Sequence, residues 1–232
     1  MFGQKSTGIT PGGTQELTMG KSYSVTFFGK VMMFFALALV TSIVGIYIML
    51  NFVFAPASFS MGMFYGLFIV ELGIILTSRL WSQKRVLGKV MFILFALISG
   101  MTAAPIIAMV AAESGMIVVI RALLATVLTF GAAAIFGWTT KVNLIGMRGF
   151  LMMSLIGMII TGIIGIFIPW GNSIELVYSW FGVVLFAGFT MYDIQKLKKY
   201  PENMYIQAAL QLYLDIFNLF LYILRAISAG RR

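Results

Sequence analysis

The sequence predicts an all-α integral membrane protein of seven transmembrane helices, and three observations carry that prediction. Of its 232 residues, 61% are hydrophobic and only 10% charged, for a mean hydropathy of +1.02. That balance leaves too few polar side chains to clothe a water-soluble domain. The apolar residues are gathered into runs of roughly 20, the length a helix needs to cross a hydrocarbon core of about 30 Å. The runs are separated by short breaks, so the backbone groups of each must be satisfied within one segment, which only a helix achieves.

Taken in chain order, the opening residues lack the apolar run ending in small residues that marks a cleavable signal, and Pro11, Gly12 and Gly13 punctuate them. Residues 1–28 read as a flexible cytoplasmic tail and 29–232 as the seven-helix transmembrane domain. Six apolar spans follow at about 31–54, 59–80, 90–112, 116–137, 150–169 and 174–197. A seventh segment, about 203–227, is 25 residues long and would extend about 37 Å as a helix.

The connections alternate in charge. The link before residue 59 carries none, SQKRVLGK carries Lys84, Arg85 and Lys89, and Glu113 alone marks the next break. Lys141 and Arg148 follow, then Glu175 alone, then Lys196, Lys198 and Lys199. Basic loops face the cytoplasm, so the amino-terminal segment, with Lys5, Lys21 and Lys30, is expected there too. The formal charge of +9 is therefore a topology signal, and no nucleic-acid partner is expected. Arg231 and Arg232 would lie outside if the last segment crosses, so the charge rule leaves a re-entrant segment open while its length favours a full crossing. Glycines at 157, 162, 165, 182 and 188 are expected to permit close helix contacts. The chain has no cysteine and no histidine. Disulfides, thiolate chemistry and the usual neutral-pH titrating group are excluded, and any response to pH must come from carboxylates.

The last segment, ALQLYLDIFNLFLYILR, carries polar residues where lipid would tolerate none. Gln207, Gln211, Asp215, Asn218, Tyr222 and Arg225 follow one another at steps of 4, 4, 3, 4 and 3, within about 80° of one another on a helix. A helix lying on the membrane surface would have a broad, Lys-rich face instead. One thin, nearly uncharged seam belongs inside a bundle, facing a wet path, because intramembrane polar groups are expensive. The sixth span ends FAGFTMYDIQKLKKYP. Tyr200 stands before Pro201, so that helix is expected to stop near Lys199, with Asp193 about two turns from its end.

Asp215 follows Asp193 on the antiparallel return, and spacing permits the two to face each other without requiring it. If they meet, two carboxylates in a dry site cannot both ionise cheaply, and the pair titrates as a unit. A shared proton is then a latch, which raising the pH removes, and the freed oxygens are hard ligands of the kind calcium takes. The competing reading for Asp193 is a solvated helix-end acid beside Lys196. In the second span, Glu71 sits mid-membrane, where it must be protonated, paired or wet. Arg79 lies eight residues later, about 12 Å further along the same face, placed either to bind the Asp193 carboxylate or to snorkel to the headgroups.

FAGFTMYDIQKL and LQLYLDIFNLFLYILR resemble the two carboxy-terminal signatures of the Bax inhibitor-1 family of membrane proteins, in its bacterial, YccA-like or YetJ-like form. ELGIILTSRL in the second span and FALISGMTAAPI in the third are similar to that family too, so the likeness covers the whole hydrophobic region. The resemblance implies a last helix central in the bundle and a pH-sensitive calcium leak through it. Asp193 and Asp215 would form the sensor, Arg79 would engage them, and Glu71 would be an acid of the pore path, which the seam's Gln207, Gln211 and Asn218 are expected to line as well. It implies no cofactor besides calcium as the permeating or transiently bound ion on Asp193 and Asp215, and a place in a bacterial inner membrane. Two further activities stay open: regulation of a membrane-bound protease through the amino-terminal tail, and proton-coupled cation exchange. No Ser, Cys or His nucleophile arrangement is present, and no protease motif accompanies the two aspartates, so no enzyme activity is expected.

Overall fold

A computed structural model describes residues 13–54, 61–168 and 170–231, and every regular element among them is helical. The helices are α1 (Gly13–Ile48), α2 (Met61–Leu76), α3 (Ser78–Trp81), α4 (Leu87–Ser114), α5 (Met116–Thr139), α6 (Arg148–Phe167), α7 (Asn172–Leu197) and α8 (Tyr205–Ala229). Six helical stretches among the described residues are long and apolar enough to cross a membrane: Phe27–Phe52, Leu87–Ser114, Met116–Thr139, Leu144–Gly165, Asn172–Leu197 and Glu202–Ala229. The chain is a multi-pass membrane protein. Helical backbone reaches back to Gly13, inside the segment expected to be a tail, and residues 1–12 lie outside the described residues.

The second expected span is divided. α2 has 16 residues, about 24 Å at 1.5 Å per residue and short of a hydrocarbon core, and Thr77 separates it from the single turn of α3. The division leaves few loose ends. Thr77 Oγ1 donates to the carbonyls of Gly73 (2.7 Å) and Ile74 (3.1 Å), and the buried indole of Trp81 donates to Ile74 as well (3.0 Å). The Gly73 carbonyl also accepts from the Thr77 amide (3.1 Å), so it is the Ile74 carbonyl that the side chains keep from being left bare in an apolar setting. Between α4 and α5 the chain turns on Gly115 at φ +85°, a left-handed conformation that a Cβ would disfavour.

α8 packs against α7, α5, α1 and α4, while α6 leans on α7 at the periphery. No residue from Met204 to Ala229 is exposed. One end of the bundle gathers the basic connections. Gln195 of α7 donates to the Val142 carbonyl (2.7 Å) and accepts from the Leu144 amide (2.8 Å), clamping the α5–α6 link. Lys198 donates to the Trp138 carbonyl and lies 4.8 Å from that ring's centre. Lys89 sits 5.7 Å over the Phe34 ring of α1, and Phe34 in turn packs on Tyr205 of α8.

Because one amide serves both sides of the α5–α6 link, Gln195→Ala is expected to cost about 2 kcal/mol, two hydrogen bonds at about 1 kcal/mol each. Hydrogen exchange at the Leu144 amide is the measurement, and unchanged protection there would contradict the clamp.

Candidate functional site: buried carboxylates of α7 and α8

α7 ends at Leu197 with Lys198 as its cap, two residues before the expected Lys199, because Pro201 follows and the chain turns through Glu202–Met204 into α8. Asp193 therefore lies about one turn before the end of α7, and Asp215 well inside α8. Both are buried, at 5% and 4% exposure, and they are within electrostatic reach of each other. Asp193 Oδ1 and Asp215 Oδ2 have no hydrogen-bond partner. The closest cation is Lys196, whose Nζ stands 3.9 Å from Asp193 Oδ1, too far for a hydrogen bond. Its charge also reaches Asp215, and that of Arg148 reaches Asp193.

Aromatic rings and one amide hold Lys196 in place. Its Nζ lies 4.9 Å from the Tyr200 ring centre and 5.5 Å from that of Tyr192, within cation–π range. It also donates to Gln211 Oε1 at 3.4 Å. The same oxygen accepts from the Tyr200 hydroxyl. Burial, with the negative charge of Asp193 second, pushes the Tyr200 phenol up from its ordinary value, so at neutral pH it stays a donor to Gln211.

A second polar cluster lies deeper. Glu71 of α2 accepts from Ser99 (2.5 Å at Oε1) and Thr102 (2.7 Å at Oε2), both on α4. The Tyr213 hydroxyl of α8 shares a 2.7 Å hydrogen bond with Ser42 of α1 and interacts with Ser99 and Glu71. Four helices thus meet through one connected set of hydroxyls and a carboxylate. Phe92 and Phe95 of α4 pack edge-on against the Tyr213 ring at 5.9 and 5.8 Å, and Phe217 stacks on it at 5.4 Å. Tyr213→Phe keeps that packing and removes one hydroxyl. Since Ser42 retains its bond to the Ala38 carbonyl (2.9 Å), a loss of only about 1 kcal/mol is expected in detergent unfolding.

The family model described as inhibitor of apoptosis-promoting Bax1 matches residues 25–232, nearly the whole chain and all of this site. The chain belongs to the Bax inhibitor-1 family. It is 32% identical over 180 residues to the inner membrane protein YbhL of Escherichia coli K12, covering 72% of this chain and 74% of that one. It is 30% identical over 161 residues to an uncharacterized protein of Helicobacter pylori, covering 69% and 70%. It is 28% identical over 207 residues to one of Campylobacter jejuni, covering 88% of each.

The Bax inhibitor-1 likeness singled out Asp193, Asp215, Arg79 and Glu71, and their placements differ. The two aspartates lie within electrostatic reach of each other, and burial sets Asp193 apart from a solvated helix-end acid. Arg79 lies exposed in α3 and engages neither carboxylate, the nearby cation being Lys196. Of the seam, Gln211 joins the carboxylate site, Asn218 donates to the Leu214 carbonyl of its own helix (2.8 Å), and Tyr222 approaches Tyr178 (3.4 Å between hydroxyls). Gln207 is half-buried. Among the described residues no three acidic, histidine or cysteine side chains converge as a metal cage. Sequence reasoning missed Ser42, Ser99, Thr102 and Tyr213. Ser99 and Thr102 are three residues apart in an apolar span, on one helical face, and that spacing was the available signal.

Proposed function

We propose that this Bax inhibitor-1 family member is a pH-sensitive calcium leak channel, in which protonation of the Asp193/Asp215 pair controls separation of α7 from α8. The observation that carries this reading is the burial of two carboxylates within electrostatic reach of each other, each with one oxygen lacking a hydrogen-bond partner. Such a pair is costly in an apolar bundle unless its proton or its counter-charge is part of the function. With the proton shared, the helices are held together. As the pH rises and the proton leaves, like charge drives them apart and a passing cation is met by carboxylate oxygens.

In this reading α2 and α3 together make the remaining crossing of a seven-helix bundle, α8 is its central helix, and the basic end faces the cytoplasm of a bacterial inner membrane. Arg79 takes part in a second conformation, as the competitor of Lys196 for the carboxylates. Glu71, Gln207, Gln211 and Asn218 line the path. The site carries ion passage and no enzyme chemistry.

Calcium flux from proteoliposomes across a pH series tests the proposal. Flux above that of empty liposomes and rising with pH is expected, and flux equal to that of empty liposomes would sink it. Stoichiometric proton counter-movement would instead identify an exchanger. Regulation of a membrane protease that vanishes on deletion of residues 1–28, with flux intact, would assign that separate activity to the amino-terminal segment.

A further inference from the structure

At the end of the bundle away from Lys196, a cavity of about 320 Å³ lies among α4, α6, α7 and α8, at the lower edge of the size range of small-molecule sites. Glycines shape its aromatic wall. A Cβ at Gly165 would fall 2.5 Å from the Trp170 indole, and one at Gly162 would fall 2.9 Å from the Tyr178 hydroxyl. Trp170 packs on Tyr178 with 5.7 Å between ring centres, and Tyr178 on Tyr222 at 5.8 Å. These small residues thus seat rings and do not bring two helix backbones together.

The polar lining is of mixed sign. Arg225 and Glu175 both face the cavity and form no ion pair with each other. Ser228 also lines it, is 4% exposed, and its Oγ has no hydrogen-bond partner. The Oγ is itself covered, and having no hydrogen bond to give up it is free to turn toward a ligand in the cavity.

We propose that this cavity binds a zwitterionic phosphate–ammonium group of the phosphoethanolamine class. Arg225 pairs with the phosphate, which suits the planar fork of a guanidinium, and the Ser228 hydroxyl donates to a second phosphate oxygen. The ammonium lies toward Glu175 and the faces of Trp170 and Tyr178, where a carboxylate and aromatic rings both favour a cation. The ends of α7 and α8 put the site at the depth of the membrane interface, where aromatic residues collect. The source is either a lipid headgroup or the free phosphoamine. The assignment is independent of ion passage.

Isothermal titration of the full chain in detergent tests it with dihexanoylphosphatidylethanolamine, dihexanoylphosphatidylglycerol and O-phosphoethanolamine. The wild type is expected to bind the ethanolamine lipid saturably and more tightly than the glycerol lipid. Arg225→Gln should weaken both lipids at least tenfold, Ser228→Ala should weaken them about threefold, and Glu175→Gln should abolish the preference between them. Binding of O-phosphoethanolamine as tight as that of the lipid assigns the free form, and much weaker binding assigns the headgroup. No saturable binding of any probe overturns the proposal, as does binding without preference that Arg225→Gln and Ser228→Ala leave unchanged. Should Arg225→Gln fail to fold, Glu175→Gln and Ser228→Ala decide.

Discussion

Proteoliposomes carrying Asp215→Asn are expected to pass calcium at a low rate that no longer changes with pH. Asparagine has nearly the shape of a protonated aspartate and cannot lose the proton, so Asp193 is left beside a neutral partner at every pH and the repulsion that separates α7 from α8 never develops. The coupling between proton and conformation sets the size of the effect. A coupling of about 1.4 kcal/mol, within the usual range for linked sites, corresponds to about a tenfold loss of flux at the alkaline end. Asp193→Asn should behave alike, because the pair acts as a unit. If either variant keeps the wild-type pH profile, the pair is not the sensor.

The largest stability effect is expected at Gly100→Ala. α1 and α4 cross so closely there that an added Cβ would lie 2.1 Å from the Ser42 carbonyl oxygen and 2.8 Å from its Cα. Both are backbone atoms and cannot swing aside, so the helices must part. Overpacking of this kind costs typically 1–3 kcal/mol. Here about 3 kcal/mol is expected, because Ser42 also holds the Tyr213 hydroxyl and would be carried off with α1. Gly131→Ala in α5 is the matched control, since nothing lies within 4 Å of its added Cβ, and alanine is there the better helix former. Thermal unfolding of both in the same detergent checks the pair, and equal midpoints would contradict the crossing.

Those two glycines show what the sequence conveyed and what it withheld. Apart from the divided second span, span positions were legible to within about six residues, because about 20 apolar residues in a row have no other use. The seam of α8 was legible because helical period alone aligns Gln207 through Arg225. Which glycines touch a backbone was not legible. Gly157, singled out by its neighbours in sequence, has nothing near it, while Gly45, Gly100 and Gly137 would each put a Cβ within 2.4 Å of another helix's carbonyl oxygen. Helix neighbours are a tertiary property that no local pattern encodes. The same holds for the cation beside Asp193. Arg79 and Lys196 are equally placed by counting turns, and only the docking of α7 on α8, with the rings of Tyr192 and Tyr200, selects Lys196. The break at Thr77 was hidden because neither Thr77 nor Ser78 is a Gly or Pro of the kind that punctuates a helix.

In the proposed gating, Tyr213 constrains how the two carboxylates part. Its ring is wedged among Phe92, Phe95 and Phe217 and its hydroxyl is tethered to α1. Asp215 stands two residues on, about 200° around the same helix. Turning α8 far enough to swing Asp215 aside would drag a fully buried ring through a packed wall. The axle is keyed against spinning. In the proposed gating, relative movement of the aspartates must then come from α7, which would have to slide on α5 as well as on α8, or from a tilt of α8 that keeps Tyr213 as its fulcrum.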